Sequence, residues 1–128
     1  MASTDTTEEK NKQVVRDFHK KVLTEKNLEA VEDLVAEDYT EHNPAFPEGV
    51  MSGRENLVDF WRGLFEAFPD LSITEEDILT EGDTVVTRHV GRGTHEGGQL
   101  PDIRTRRLTQ YRVRHKRIPR LIRTPNMP

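Results

Sequence analysis

The sequence contains no cysteine, which excludes disulfide bridges, thiolate nucleophiles and thiolate metal sites. It has no apolar run approaching the ~20 residues that span a bilayer. The opening MASTDTTEEK lacks the apolar core of a secretory signal, so a cytoplasmic protein with no membrane partner is expected. Large apolar side chains are scarce: one Trp, two Tyr and five Phe among 128 residues, a third of which are charged. The core must therefore be compact, and any apolar pocket has to be walled by few residues. Repeats and linkers are missing too, so residues 1–128 are expected to form one domain, with 1–5 disordered.

Two kinds of chemistry lack their signatures. No pair among the five histidines has the helical spacing of a zinc motif, so no metal is expected. Gly91-Arg92-Gly93 lacks the further glycine and following helix of a phosphate-cradling loop. The acidic pairs Glu8-Glu9, Glu32-Asp33 and Glu75-Glu76 are adjacent along the chain and read as solvated. Charge is unevenly spread: residues 1–100 carry a net −12 and residues 101–128 a net +8. A basic tail can mark nucleic-acid binding. Here it has a single aromatic, Tyr111, and an acidic body that repels phosphate, so no nucleic-acid partner is expected.

What is present centres on Asp38–Asp70. Leu57, Phe60, Trp61, Leu64, Phe65 and Phe68 recur at helical spacing, and Pro69 stops the run. Ser52 and Glu55 have the spacing of a capping box. This face serves first as core and second as one wall of a pocket. Upstream, Thr6 and Glu9 open a helix that carries Val14, Val15, Phe18 and Val22 to about Glu25. Asn27 then caps a shorter one bearing Leu28, Val31, Leu34 and Val35. Tyr39–Pro47, with two prolines, is irregular. Leu71–Leu79 suggests a strand with an irregularity, and Glu81-Gly82-Asp83 a turn. Thr84–Val90 is a β-branched strand continuing to His95, with a bend or bulge at Gly91–Gly93. A loop at Gly97-Gly98 follows, then a strand at Arg106–Val113 and a weaker one at Ile118–Ile122, which Pro119 confines to an edge or a bulge. Three helices and about four sheet segments give an α+β domain.

The order of these parts, together with DYTEHNP, SGRENLVDFWRGLFEAFPDLSIT and GRGTHEG, resembles the SnoaL-like polyketide cyclase family of the NTF2-like superfamily over roughly residues 10–96. The resemblance implies a cone: a strongly curved antiparallel sheet over three N-terminal helices, with an apolar pocket at its open end, commonly in a homodimer. It further implies aldol-type ring closure of a polyketide ester without metal or cofactor. The family's catalytic carboxylate falls at Thr109, judged from the match of Tyr111, Arg112 and Val113, and residues 101–128 form a divergent basic tail.

The expected chemistry is acid/base work on a small apolar carbonyl compound, which needs a base and a donor to an enolate oxygen. His42, before the third helix, and His95, after the second strand, are the catalytic candidates. Tyr39, Asn43, Trp61, Phe65 and His89 are substrate-binding candidates. Tyr39 and the two helix aromatics also read as core, Asn43 equally as a turn cap, and His19 and His115 as solvated. Two other expectations stand beside catalysis: an inactive small-molecule binder, and an interaction module whose basic residues 104–123 meet the acidic body of a second copy.

Overall fold

The computed structural model describes residues 6–96 and 101–125; the expectations for residues 1–5 and for Gly97-Gly98 lie outside these. Helix α1 spans Thr7–Asp17 and runs on as a π-helical segment, Phe18–Thr24. Its start is set by Thr6, whose Oγ1 accepts from Glu9 N at 3.1 Å. Asn27 caps a 3₁₀ turn, Leu28–Ala30, by accepting from Glu29 N at 3.2 Å, and α2, Val31–Leu34, follows directly. Helix α3 is Arg54–Ala67.

Among the described residues there is one six-stranded sheet: β1 (Val35–His42), β2 (Val50–Ser52), β3 (Ser72–Glu81), β4 (Thr84–Gly93), β5 (Ile103–Arg114) and β6 (Arg117–Arg123). The order is β2-β1-β6-β5-β4-β3. Neighbours are antiparallel except β1 and β6, so the sheet is mixed. The helices cover one face of this curved sheet. Val15, Phe18, Val22, Val31, Val35, Leu57, Trp61, Val85, Tyr111 and Leu121 are buried between the layers. Glu8 and Asn11 anchor α1 to the β3–β4 turn, where Glu8 accepts from Gly82 N at 3.0 Å and Asn11 donates to Gly82 O at 3.3 Å.

Several sequence expectations are corrected. The stretch from Tyr39 is not irregular until after His42: Tyr39–His42 end strand β1. Ser52 does not cap α3, because it is paired in the sheet with Thr40. Gly53 occupies the cap position with φ 94°, a conformation that suits glycine and lets its N–H donate to Tyr39 O at 2.7 Å. The Gly91–Gly93 segment has no bulge; its register against β5 is continuous. These glycines instead permit close approach. A Cβ at Gly93 would sit 3.1 Å from Phe68 Cβ, and one at Gly91 would sit 2.7 Å from Thr105 Oγ1. Pro119 lies in a central strand, not an edge, and does so at a bulge, where the β6 register shifts against both β1 and β5. The basic segment supplies both central strands, β5 and β6.

Candidate functional site

Strand alternation decides which side chains face the helices. On β4 and β5 these are His89 and Arg107, which are paired across the ladder, and Thr87 and Thr109, likewise paired. Arg123 on β6 is paired with Thr109. On β1 the inward residues are Tyr39 and Glu41, and Asn43 just beyond the strand is also buried.

Above these side chains lies a cavity of about 310 Å³. Its walls are apolar, chiefly Phe46, Phe60, Trp61, Leu64, Ile73 and Ile103, and its polar lining includes Asn43, His89, Arg107 and Arg123. Among the described residues no Asp or Glu lines it. Asp102 lines a separate, wider groove of about 700 Å³ with Asp70, Arg92, Arg104 and Arg106.

Behind the cavity a carboxylate is buried. Glu41 shows no exposed surface and accepts from Tyr39 Oη at 2.8 Å, Asn43 Nδ2 at 3.2 Å and Arg123 Nε at 3.0 Å. Burial alone would lower the Arg123 pKa, but Glu41, Tyr111 and Tyr39 outweigh it and hold it above the usual value. Tyr39 is pushed well above its usual value by burial and by Glu41. Arg123 also lies over the Trp61 ring, 5.7 Å from its centroid.

Two buried histidines sit beside this ion pair, their ring centroids 6.3 Å apart. His89 Nε2 is 2.6 Å from Thr109 Oγ1. Burial, then the charge of Arg123, lowers its pKa to about 3, so the ring is neutral. His19 is buried, not solvated as expected, because the π-helical segment turns it inward. Its Nδ1 is 3.2 Å from Glu75 Oε2 and its Nε2 2.7 Å from Tyr111 Oη. Burial and Arg123 lower it to about 4, so the Glu75 contact is a hydrogen bond from a neutral ring, not an ion pair. A carboxylate only accepts, which assigns the proton to Nδ1 and makes the Tyr111 hydroxyl the donor to Nε2. Burial raises Tyr111 itself to about 12.

Of the residues expected from sequence, Asn43, Trp61 and His89 line the cavity. Asn43 also forms the turn, its Oδ1 accepting from Ala45 N at 2.9 Å. Tyr39 is buried behind, on Glu41. Phe65 stands beside Trp61, centroids 5.7 Å apart, and outside the cavity lining. His42 does not face the cavity: alternation from Glu41 turns it to the sheet's other side. His95 follows the end of β4 and packs edge-on to Phe68 at 5.5 Å, also outside the lining. Neither expected catalytic histidine therefore lines this cavity. Sequence reasoning missed Glu41, Arg107, Arg123 and His19; for the first three the missing signal was period-two alternation along β1, β5 and β6.

The family model for SnoaL-like polyketide cyclases matches residues 13–120. The chain belongs to this family. Solved SnoaL-like and NTF2-like structures share its cone. IdmH from Streptomyces antibioticus, a candidate polyketide cyclase, is 26% identical, with 89% of this chain and 90% of that one covered at a TM-score of 0.74. A SnoaL-like candidate polyketide cyclase from Jannaschia sp. CCS1 is 17% identical over 97% and 90%, TM-score 0.80. An LEH-like epoxide hydrolase from M. tuberculosis is 14% identical over 92% and 84%, TM-score 0.76. The last two show the fold alone. Comparison with curated protein sequences gives no match. Within the SnoaL-like cone, this chain places a fully buried Thr109 against His89, at the position where the family resemblance puts an acid.

Proposed function

We propose that this chain binds a small, largely apolar carbonyl compound in the cavity beside Trp61 and moves a proton on it with His89. One observation carries the reading. Trp61 Nε1, His89 Nδ1 and Arg107 Nε are buried without a partner in the protein, and all three residues line the same apolar cavity. Buried polar groups left unpaired cost about 1–3 kcal/mol each; a ligand oxygen would accept from Trp61 Nε1–H and Arg107 Nε–H, and a ligand proton would meet His89 Nδ1. With Nε2–H donating to Thr109 Oγ1, His89 Nδ1 presents a lone pair. It takes a proton from a carbon flanked by two carbonyls and returns it after rearrangement. The enolate oxygen accepts from Trp61 Nε1–H, and the Arg107 charge favours the anion in this weakly polar space. His42 and His95 have no part in this step.

Incubating the protein with ethyl benzoylacetate in D₂O and following the α-proton by NMR tests this. Wild type should accelerate exchange, His89→Ala should lose about 10²-fold or more, and His42→Ala and His95→Ala should match wild type. A second reading, binding without turnover, is favoured by the low His89 pKa, since so weak a base is far from the neutral range that suits general-base catalysis. A ligand that raises the melting temperature while wild type leaves exchange at the uncatalysed rate would select it.

We also propose that the sheet's other face pairs with a second copy. Leu79, Val86, Ile122 and Val50 lie in one cross-strand row with Gln110 and His42. Leu79 is 64% exposed, and Leu108 nearby 37%.

A further inference from the structure

Resting on the cavity as the ligand site, the charge around it narrows the class of ligand. Two guanidinium groups line the space, those of Arg107 and Arg123, and they are not equivalent. Arg123 is matched by Glu41 at 3.0 Å. Arg107 has no carboxylate within ion-pair distance among the described residues; its one side-chain contact is a long hydrogen bond from Nη1 to Asn43 Oδ1, at 3.4 Å. That acceptor is already shared with Ala45 N, and Arg107 Nε is buried with no partner. Both histidines near the ion pair are neutral. The cavity lining therefore carries one positive charge with no ion-pair partner among the described residues, beside a second guanidinium that is matched.

Arg107 is half-buried, and even partial burial of an unpaired charge is costly. Here burial, followed by repulsion from Arg123, lowers the Arg107 pKa, and Glu41 only partly opposes this. A neutral ester would satisfy a hydrogen bond there but would leave the charge. An anionic oxygen pair would satisfy both, since the guanidinium fork matches a carboxylate in shape and charge.

We infer that the ligand is an organic carboxylate: an apolar body filling the space between Phe46, Phe60, Leu64 and Ile103, with its acid group on Arg107. Trp61 Nε1–H remains for a second oxygen of the same molecule. The volume lies at the lower end of the range for small-molecule sites, ~300–1,000 Å³, which suits a compact body.

Matched acid–ester pairs test this by binding alone: 1-naphthoate with methyl 1-naphthoate, 4-phenylbutyrate with its methyl ester, and decanoate with methyl decanoate. Titration is followed by the fluorescence of Trp61, the single tryptophan, and by calorimetry. The acid of at least one pair should bind tenfold or more tightly than its ester, with added salt narrowing the gap. Arg107→Gln should abolish the preference, bringing the acid's affinity to within about twofold of its ester's in the same variant. Equal affinity, or preference for the ester, in wild type overturns the carboxylate assignment and leaves the cavity reading standing. A preference that survives in a folded Arg107→Gln protein overturns the role of Arg107. Failure of all six compounds to bind overturns the cavity reading itself.

Discussion

Glu41 has no exposed surface, and its two oxygens hold Tyr39, Asn43 and Arg123 in place. Removing its charge leaves a buried guanidinium unmatched, which typically costs ~3–5 kcal/mol. Glu41→Gln is therefore expected to lose stability on that scale in urea denaturation, whereas Glu41→Gln combined with Arg123→Met should lose less than the single change. Acid sensitivity follows from the histidines. An unfolded histidine titrates near 6.5, while folded His19 and His89 take up protons at about 4 and about 3. The unfolded state thus binds more protons below pH 6.5, and stability present above that value falls as pH drops toward 3. The most this contributes is ~3 kcal/mol from His19 and ~5 kcal/mol from His89. His19→Gln should flatten its share of the decline, read as melting temperature against pH. At this scale the sequence was partly legible. Trp61, His89 and Asn43 could be singled out, because aromatics on a helix face and an inward strand position are local signals. Glu41 could not, because two prolines just after His42 disguised a strand as a loop and hid its alternation.

Among the elements, β4 closely approaches the connection after α3 at Gly93, where a Cβ would meet Phe68 Cβ at 3.1 Å and Leu71 Cδ1 at 3.4 Å. Gly93→Ala should overpack this contact and cost ~1–3 kcal/mol, lowering the melting temperature, and it should disturb His95, whose ring rests on Phe68. The segment after β4 is tied to the end of α3 here, with Thr94 N donating to Asp70 Oδ1 at 2.8 Å and Glu96 N to Ala67 O at 3.1 Å. The Thr94 hydrogen bond is the main cause holding the exposed Asp70 carboxyl below its usual pKa. Helix positions were readable from apolar spacing, as was the β3–β4 hairpin from its turn. The start of α3 was not: Ser52 had the right spacing for a cap, but pairing with Thr40 took its backbone into the sheet first. The glycines of β4 signalled a bend by their lack of side chains, while the strand uses that lack for packing.

Across the whole molecule the acidic and basic portions interlock. Glu76 meets both Arg88, at 3.6 Å, and Arg106, at 3.5 Å, and Asp83 meets Arg114 at 3.3 Å. These exposed pairs contribute little individually; what they do is spread the charge over the outer sheet face beside the apolar row. If that face joins two copies, the double change Leu79→Asp, Leu108→Asp should convert a dimer to a monomer in light scattering while leaving the helical circular dichroism unchanged; a wild-type monomer would refute the pairing. The α+β cone was legible because element order and family pattern agree over most of the chain. The mixed sheet was not, because a parallel partnership between the first and last strands leaves no local mark.

That partnership has a consequence for synthesis. During translation, β1 emerges early, yet the neighbour that satisfies one of its edges, β6, ends at Arg123. A ribosome must therefore deliver some eighty further residues, separating His42 from Arg123, before that edge is sealed. Such distant closure slows folding and leaves that edge open to aberrant pairing until β6 arrives.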